Sequence, residues 1–180
     1  MPTVIVRRPT PPPADLPVAP LLQRIYTVRG IHASGELDRT LRGLTSPAVF
    51  KNMPQAVNLL HTALREQQRI MIVADLDADG ATSCALTVRA LRALGAAEVR
   101  YVVPNRFIHG YGLTPEIVAV AAQQRPDLLI TVDNGVSSHD GVLAAQALGM
   151  KVLITDHHLP GQTLPAADAL VNPNQPGDAF

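Results

Sequence analysis

Residues 69–80 read RIMIVADLDADG, and this stretch decides the fold class. A largely apolar run, 69–74, is followed at once by acidic residues at every second position and then by a glycine. Such a short apolar run is typical of a strand buried on both faces of a parallel sheet. The D-x-D-x-D-G spacing also resembles an EF-hand calcium loop. That loop needs a glutamate at position 86, where the chain has Leu86, so we do not interpret it as an EF-hand.

Apolar runs and helical segments alternate along the rest of the chain. The expected helices cover residues 55–67, 82–94, 114–124 and 137–148. The expected strands cover residues 69–74, 99–103, 128–132, 152–155 and 168–171. This alternation predicts an α/β domain with a doubly wound, mostly parallel, Rossmann-like sheet.

Proline and charge divide the chain into an arm and a folded domain. Because seven of the 16 prolines lie in the first 20 residues, we expect a proline-rich arm with a short helical segment over 1–54 and the α/β domain over 55–180. The first 50 residues carry six Arg against three acidic residues, a sum of +3. This excess is either a solvated surface or a weak contact surface for a phosphate backbone.

Overall composition excludes several classes of protein. With 15 Lys+Arg and 15 Asp+Glu, the 180-residue chain is neither a strongly basic nucleic-acid coat nor an acidic tail protein. The single cysteine, Cys84, cannot form an internal disulfide, so a reducing compartment such as the cytoplasm is expected. No apolar run approaches the ~20 residues of a membrane span. An aromatic content of 3% argues against base stacking as the main way of binding nucleic acid.

Acidic residues and imidazoles follow three of the predicted strands. They are Asp75, Asp77 and Asp79 after the first strand, Asp133 after the third, and Asp156, His157 and His158 after the fourth. Because ligands of an open parallel sheet bind beyond the carboxyl ends of its strands, these side chains are expected at one edge. If the backbone of 75–79 stays extended, its three carboxylates point to the same side.

Crowding five carboxylates together is costly unless a cation offsets their repulsion. Carboxylate oxygens with imidazole nitrogen suit Mn²⁺ or Mg²⁺, and two ions ~4 Å apart would use about this many carboxylates. Such a pair activates a water and stabilises charge on a phosphoryl centre. Ordinary structural roles stay open for single residues: Asp79 as a helix N-cap, and 133–135 as a plain turn.

The loop PNRFIHGYGL, residues 104–113, leaves the second strand at the same edge. Its two glycines permit close approach of the backbone to a ligand, and Arg106 is suited to bidentate binding of a phosphate. The alternative for Arg106 is an ordinary surface arginine.

In combination, these motifs resemble the DHH phosphoesterase family, named for the triplet that stands here at 156–158. The resemblance runs through VADLDADGATS (73–83), VPNRFIHGYGLTPE (103–116), LLITVDNGVSSH (128–139), ITDHHLPGQTLP (154–165) and VNPNQP (171–176). It is closer to the family's single-strand-specific 5′→3′ DNA exonucleases than to its other members.

The resemblance implies an α/β domain that holds two Mn²⁺ or Mg²⁺ ions. The implied metal ligands are Asp77, Asp79, Asp133 and His157, with Asp133 bridging the ions. His158 is implied to face the phosphate and, with Asp133, to serve catalysis. The residues implied to orient the ligands are Asp75 and Asp156, and those implied to contact substrate are Arg106, Gly110 and Tyr111.

Single-stranded DNA is the implied substrate, in DNA repair and recombination, with a helicase and a single-strand-binding protein as implied partners. The family has a further metal-binding Asp and a second domain downstream, so a chain ending at Phe180 is expected to be the N-terminal piece of a longer protein. Two alternatives stay open. One is a phosphoesterase for short oligonucleotides or cyclic dinucleotides, and the other is a truncated, inactive fragment.

Overall fold

A computed structural model of the chain describes residues 11–180. Of these, residues 11–45 form one compact unit and Ser46–Phe180 form a second. The boundary expected from composition, after residue 54, lies further along the chain. The expected proline-rich arm falls partly on residues 1–10, which lie outside the described residues. Within 11–180, no helix has both the length and the apolar character needed to cross a membrane.

The first unit is built around one helix, α1, which spans Pro20–Val28. Proline suits its first position because it lacks the N–H that would otherwise be left without a partner there. The N–H of Ala14 donates to Thr27 Oγ1 at 2.7 Å, which holds the preceding segment against the helix. Two short 3-10 turns follow, at Ser34–Leu37 and Leu41–Gly43.

The second unit contains a five-stranded, wholly parallel sheet. Its strands are β1 (Arg69–Ala74), β2 (Glu98–Val102), β3 (Leu128–Val132), β4 (Lys151–Thr155) and β5 (Ala169–Val171), in the order β2-β1-β3-β4-β5. Its helices are α2 (Met53–Arg65), α3 (Ala78–Ala93), α4 (Arg106–His109), α5 (Pro115–Ala122) and α6 (His139–Ala147), preceded by a 3-10 turn at Pro47–Val49. The predicted doubly wound α/β fold is confirmed.

Helices cover both faces of this sheet. Ile70 and Ile72 belong to the apolar core that α2 and α3 build on one face, and Met71 and Val73 belong to the core that α5 and α6 build on the other. Because alternate residues of β1 are buried on opposite faces, the strand reads as one continuous apolar run.

The strand order reverses between β1 and β3, since the chain continues from β1 to one side and from β3 to the other. In such folds, ligands bind in the crevice beyond the carboxyl ends of the strands at this switch point. Ala74 is paired with Val132, and Val132 is paired with Thr155. The residue that follows each of these three strands therefore lies at the same level of the sheet.

Two local predictions were wrong. Helix α3 begins at Ala78 rather than near Thr82, so the backbone of 75–79 is not extended throughout. Asp77 is its N-cap, which leaves Asp79 in the first helical turn. Asp75 and Asp77 line one cleft and Asp79 lines another, so the three carboxylates do not all face the same cleft. The loop at 104–113 contains α4, a single helical turn that local propensity did not indicate.

Candidate metal centre

The end of β1 contributes two carboxylates in different settings. Asp75 is buried, and both its oxygens accept from Arg106 Nη2 at 2.8 Å. Asp77 is exposed, and its Oδ1 accepts the N–H of Gly80 at 3.0 Å. A Cβ at Gly80 would lie 2.3 Å from the carbonyl oxygen of Asp75, so only glycine permits this approach of α3 to the strand end.

The end of β3 places Asp133 at the centre of the site. Its backbone is left-handed, with φ of 64°, a conformation that Asp and Asn adopt more readily than most residues. Its Oδ1 lies 2.9 Å from His157 Nε2, whereas its Oδ2 is buried and has no hydrogen-bond partner among the described residues. The neighbouring Asn134 donates to the carbonyl oxygens of Val73 and Val132, both at 3.0 Å, and so ties β1 to β3.

The end of β4 is organised by Asp156, whose side chain is only 1% exposed. Its Oδ1 accepts the N–H of His157 at 2.7 Å, the N–H of His158 at 3.1 Å and the Nδ1–H of His158 at 2.7 Å. Its Oδ2 accepts the N–H of Val136 at 2.8 Å. Because a carboxylate only accepts hydrogen bonds, His158 carries its proton on Nδ1 and presents Nε2 to the cleft.

Two asparagines in the segment after β5 hold the backbone of His157 and His158 in place. Asn172 Nδ2 donates to the carbonyl oxygen of His158 at 2.9 Å, and Asn174 Nδ2 donates to that of His157 at 2.5 Å. Both backbone carbonyls of the histidine pair are therefore fixed by asparagines. Both asparagines belong to the motif VNPNQP, but contacts between residues 14 and 17 positions apart have no local signal in the sequence.

The charges of the site favour a bound cation. Burial raises the pKa of Asp133, and the negative charge of Asp77 raises it further, against a lowering effect of His157. The N–H of Gly80 lowers the pKa of Asp77 and keeps it ionised. The hydrogen bond to Asp156 raises the pKa of His158. Asp133 thus has a buried, unpartnered oxygen beside a second carboxylate, an arrangement that a positive ion would stabilise.

Two groups of possible ligand atoms overlap at Asp133. One comprises Asp75, Asp77 and Asp133, the other comprises Asp133, His157 and His158, and within each group the atoms lie within 4.8 Å of one another. Carboxylate oxygens with imidazole nitrogen are the donors that Mn²⁺ and Mg²⁺ accept. The free Oδ2 of Asp133 offers a position for such an ion, so the donor set fits the metals expected from the sequence.

Two clefts open on this centre. The first, of about 450 Å³, is lined among others by Asp75, Asp77, Arg106, Tyr111 and His158. The second, of about 540 Å³, is lined among others by Asp79, Asp133 and His157. Asp79 belongs to neither group of three in residues 11–180, but it shares the second cleft with Asp133 and His157.

The loop at 104–113 reaches the first cleft in an unforeseen way. Arg106 forms an ion pair with Asp75 and lies over the ring of Tyr111, 5.0 Å from its centroid, and its contact with a phosphate stays a prediction. Gly110 ends α4 with φ of 76° and does not line the first cleft. Sequence reasoning missed this ion pair, since nothing local joins residues 31 positions apart.

Residues 69–179, more than half of the chain, match the DHH family, N-terminal domain. The chain belongs to the DHH family. The family resemblance predicted from the motifs is therefore confirmed.

Curated relatives of this DHH-family chain include two named single-stranded-DNA-specific exonuclease RecJ. The protein of Dickeya dadantii is 54% identical over 181 residues, with 99% of this chain and 31% of the relative covered. That of Escherichia coli is 52% identical over 162 residues, with 90% and 28% covered. The chain thus spans less than a third of the length of these relatives.

Solved structures of DHH-family exonucleases share the fold. One, described as exonuclease RecJ bound to manganese, has a TM-score of 0.66 at 39% identity and covers 73% of this chain and 33% of that chain. Another, RecJ from Thermus thermophilus in complex with Mn²⁺, has a TM-score of 0.66 at 35% identity and covers 86% and 22%.

Proposed function

We propose that this domain belongs to a metal-dependent exonuclease that hydrolyses the phosphodiester bonds of single-stranded DNA. The observation that carries the proposal is Asp133 at the switch point of the sheet: two groups of possible ligand residues share it, and its buried Oδ2 has no hydrogen-bond partner among residues 11–180. The relatives named RecJ and the manganese in their solved structures support the same chemistry.

The proposed metal ligands are Asp77, Asp79, Asp133 and His157, with Asp133 shared between two ions. Bound Mn²⁺ or Mg²⁺ would supply an activated water and stabilise the negative charge that develops on the phosphoryl group. Asp75 and Asp156 orient their neighbours: Asp75 pairs with Arg106, and Asp156 holds the backbone and the ring of the histidine pair.

His158 is the proposed residue facing the phosphate. Asp156 occupies its Nδ1, so Nε2 is the atom that can donate a proton or a hydrogen bond into the cleft. Asp156 also favours the protonated imidazolium, because the positive ring is stabilised by the carboxylate. A cationic His158 suits an electron-rich phosphate oxygen or the departing sugar oxygen. Arg106 and Tyr111 line the side of this cleft on which substrate is proposed to bind, and Gly110 belongs to the same loop.

Several finer features are proposed from the family resemblance. They are hydrolysis in the 5′→3′ direction, a role in DNA repair and recombination, and action beside a helicase and a single-strand-binding protein. The cytoplasm is the proposed location, because the single cysteine of this chain, Cys84, cannot form an internal disulfide.

The test is Mn²⁺-dependent release of nucleotides from single-stranded DNA labelled at the 5′ end, with a 3′-labelled strand to report direction. The variant is Asp133→Asn, because asparagine tolerates the left-handed backbone where alanine would add strain. The matched control is Asp140→Asn, an exposed carboxylate in the first turn of α6. We expect the first variant to lose at least about 100-fold in rate and the control to retain it.

Other outcomes separate the alternatives. Faster hydrolysis of a dinucleotide than of a 10-mer would favour the small-nucleotide phosphoesterase. Binding of Mn²⁺ that Asp133→Asn abolishes, without hydrolysis of any substrate, would indicate a domain that holds metal but needs more of the protein for activity. Hydrolysis that is unchanged in Asp133→Asn would refute the proposed centre.

A further inference from the structure

Tyr111 lies between two charged groups of the first cleft. The guanidinium carbon of Arg106 lies over its ring, 5.0 Å from the centroid. The imidazole of His158 meets it edge to face, with centroids 6.1 Å apart and ring planes at 83°. One aromatic ring thus contacts both the arginine that pairs with Asp75 and the histidine that Asp156 orients.

The backbone around Tyr111 is built to hold this position. Glycines flank it on both sides, with left-handed φ values of 76° at Gly110 and 73° at Gly112. A Cβ at Gly112 would lie 3.2 Å from Ser138 Oγ, so the loop passes close to the start of α6. Thr114 Oγ1 donates to the carbonyl oxygen of His109 at 3.0 Å and closes the loop across its base. The ring is therefore carried on a constrained turn.

We propose that Tyr111 is a positioning residue, whose ring holds Arg106 against Asp75 and fixes the imidazole of His158 in the cleft. The two contacts use the ring rather than the hydroxyl. Attraction of a cation to a π face and edge-to-face pairing of rings both require an aromatic side chain, and phenylalanine supplies them nearly as well as tyrosine. Leucine is apolar and supplies neither.

The kinetic consequence rests on the proposed function. Asp156 fixes the Nδ1 side of His158, and the ring of His157 lies beside it with centroids 4.8 Å apart. In the proposal, the edge contact with Tyr111 adds a further limit on how far the His158 ring can tilt, and so on the direction of Nε2. Loss of the ring should misplace the group that acts on the reacting phosphate more than it weakens binding of the DNA strand. A direct contact between Tyr111 and DNA would act chiefly on KM.

The first experiment measures kcat and KM for Mn²⁺-dependent hydrolysis by wild type, Tyr111→Leu and Tyr111→Phe. We expect Tyr111→Leu to lower kcat about ten-fold with a change in KM of less than about three-fold, and Tyr111→Phe to recover most of the loss. A rise in KM with kcat retained, or a failure of Tyr111→Phe to recover activity, would overturn the assignment of the ring as a positioning group.

The second experiment does not depend on activity. Trypsin must extract the Arg106 side chain to cleave the Arg106–Phe107 bond, so the contacts to Asp75 and Tyr111 protect that bond. We expect cleavage there to be about ten-fold faster in Tyr111→Leu and close to the wild-type rate in Tyr111→Phe. Cleavage after Arg65, at the end of α2, reports whether the variants are otherwise folded.

The two readouts separate the proposals. If the wild-type chain hydrolyses nothing while trypsin distinguishes the two variants as expected, the proposed function fails for this chain and the role of the Tyr111 ring in holding Arg106 stands. If both variants are cleaved after Arg106 at the wild-type rate, the ring does not hold Arg106 and the inference is wrong, whatever the activity.

Discussion

Replacement of Asp156 by alanine is expected to destabilise the domain by about 3–5 kcal/mol. The carboxylate accepts four hydrogen bonds with a side chain that is 1% exposed. The N–H of Val136 is buried and would be left without its acceptor, which costs about 1–3 kcal/mol. His157 and His158 are about half exposed, so their N–H groups can bind water when Asp156 is removed. The loss of these hydrogen bonds therefore adds less than the full energy of charged hydrogen bonds.

Asparagine at this position provides a sharper test. Oδ1 receives three of the four donors and Oδ2 receives only the N–H of Val136. If the asparagine of Asp156→Asn places its oxygen at the Oδ1 position, that oxygen still accepts three hydrogen bonds. Its NH₂ group then stands at the Oδ2 position and faces the N–H of Val136, which is also a donor. We therefore expect Asp156→Asn to cost about 1–3 kcal/mol, less than alanine, because a single donor is left facing another donor.

The assay is urea unfolding followed by far-ultraviolet circular dichroism in the presence of EDTA, since the chain has no Trp to serve as a fluorescent probe. Asp140→Asn, at an exposed site, is the control and is expected to change the free energy of unfolding by less than about 0.5 kcal/mol. A loss below about 1 kcal/mol for Asp156→Ala, or a larger loss for asparagine than for alanine, would refute the reasoning.

Three further predictions concern the same edge of the sheet. Gly80→Ala is expected to lower the free energy of unfolding by about 2–3 kcal/mol, because its Cβ would collide with the backbone of Asp75 at the end of β1. The control is Gly161→Ala, whose Cβ would have no atom nearer than 4.0 Å, and it should leave the urea midpoint nearly unchanged. Mn²⁺ at about 100 times its dissociation constant should stabilise the wild type by about 2.7 kcal/mol in a thermal melt; Asp133→Asn should abolish this gain and His109→Ala should retain it. The raised pKa of His158 stabilises the fold fully below its unfolded pKa of about 6.5 and loses this effect as pH rises through the folded value. In EDTA, the difference in unfolding free energy between wild type and His158→Gln should therefore shrink with rising pH. The change should be less than about 1 kcal/mol, because the His158 ring is half exposed. A difference that grew with pH would contradict the assignment.

Much of the fold could be predicted because its signals are local. A strand buried on both faces, such as 69–74, must be apolar at consecutive positions, and the helices between strands begin and end at recognisable caps, such as Thr114 before Pro115. Because ligands of a parallel sheet bind beyond the carboxyl ends of its strands, the strand positions then predict that Asp75, Asp133 and Asp156 lie at one edge of the sheet.

Local signals were insufficient where two residues compete for one local role. Asp77 and Asp79 are both suited to cap α3, and the choice of Asp77 depends on how closely Gly80 can approach the backbone of Asp75. The left-handed backbone of Asp133 likewise depends on its N–H reaching the carbonyl oxygen of Thr155 on the neighbouring strand.

The sequence by itself determined the parallel α/β fold, the residue types at the strand ends and the kind of metal that suits them. Only the tertiary structure decided that Arg106 pairs with Asp75, that Val136 reaches Asp156 and that asparagines after β5 hold the histidine pair. The physical reason is one of range. Strand and helix periodicities are set by neighbours two to four residues apart, whereas these contacts join segments up to 31 residues apart that meet only after the strands assemble in the order β2-β1-β3-β4-β5.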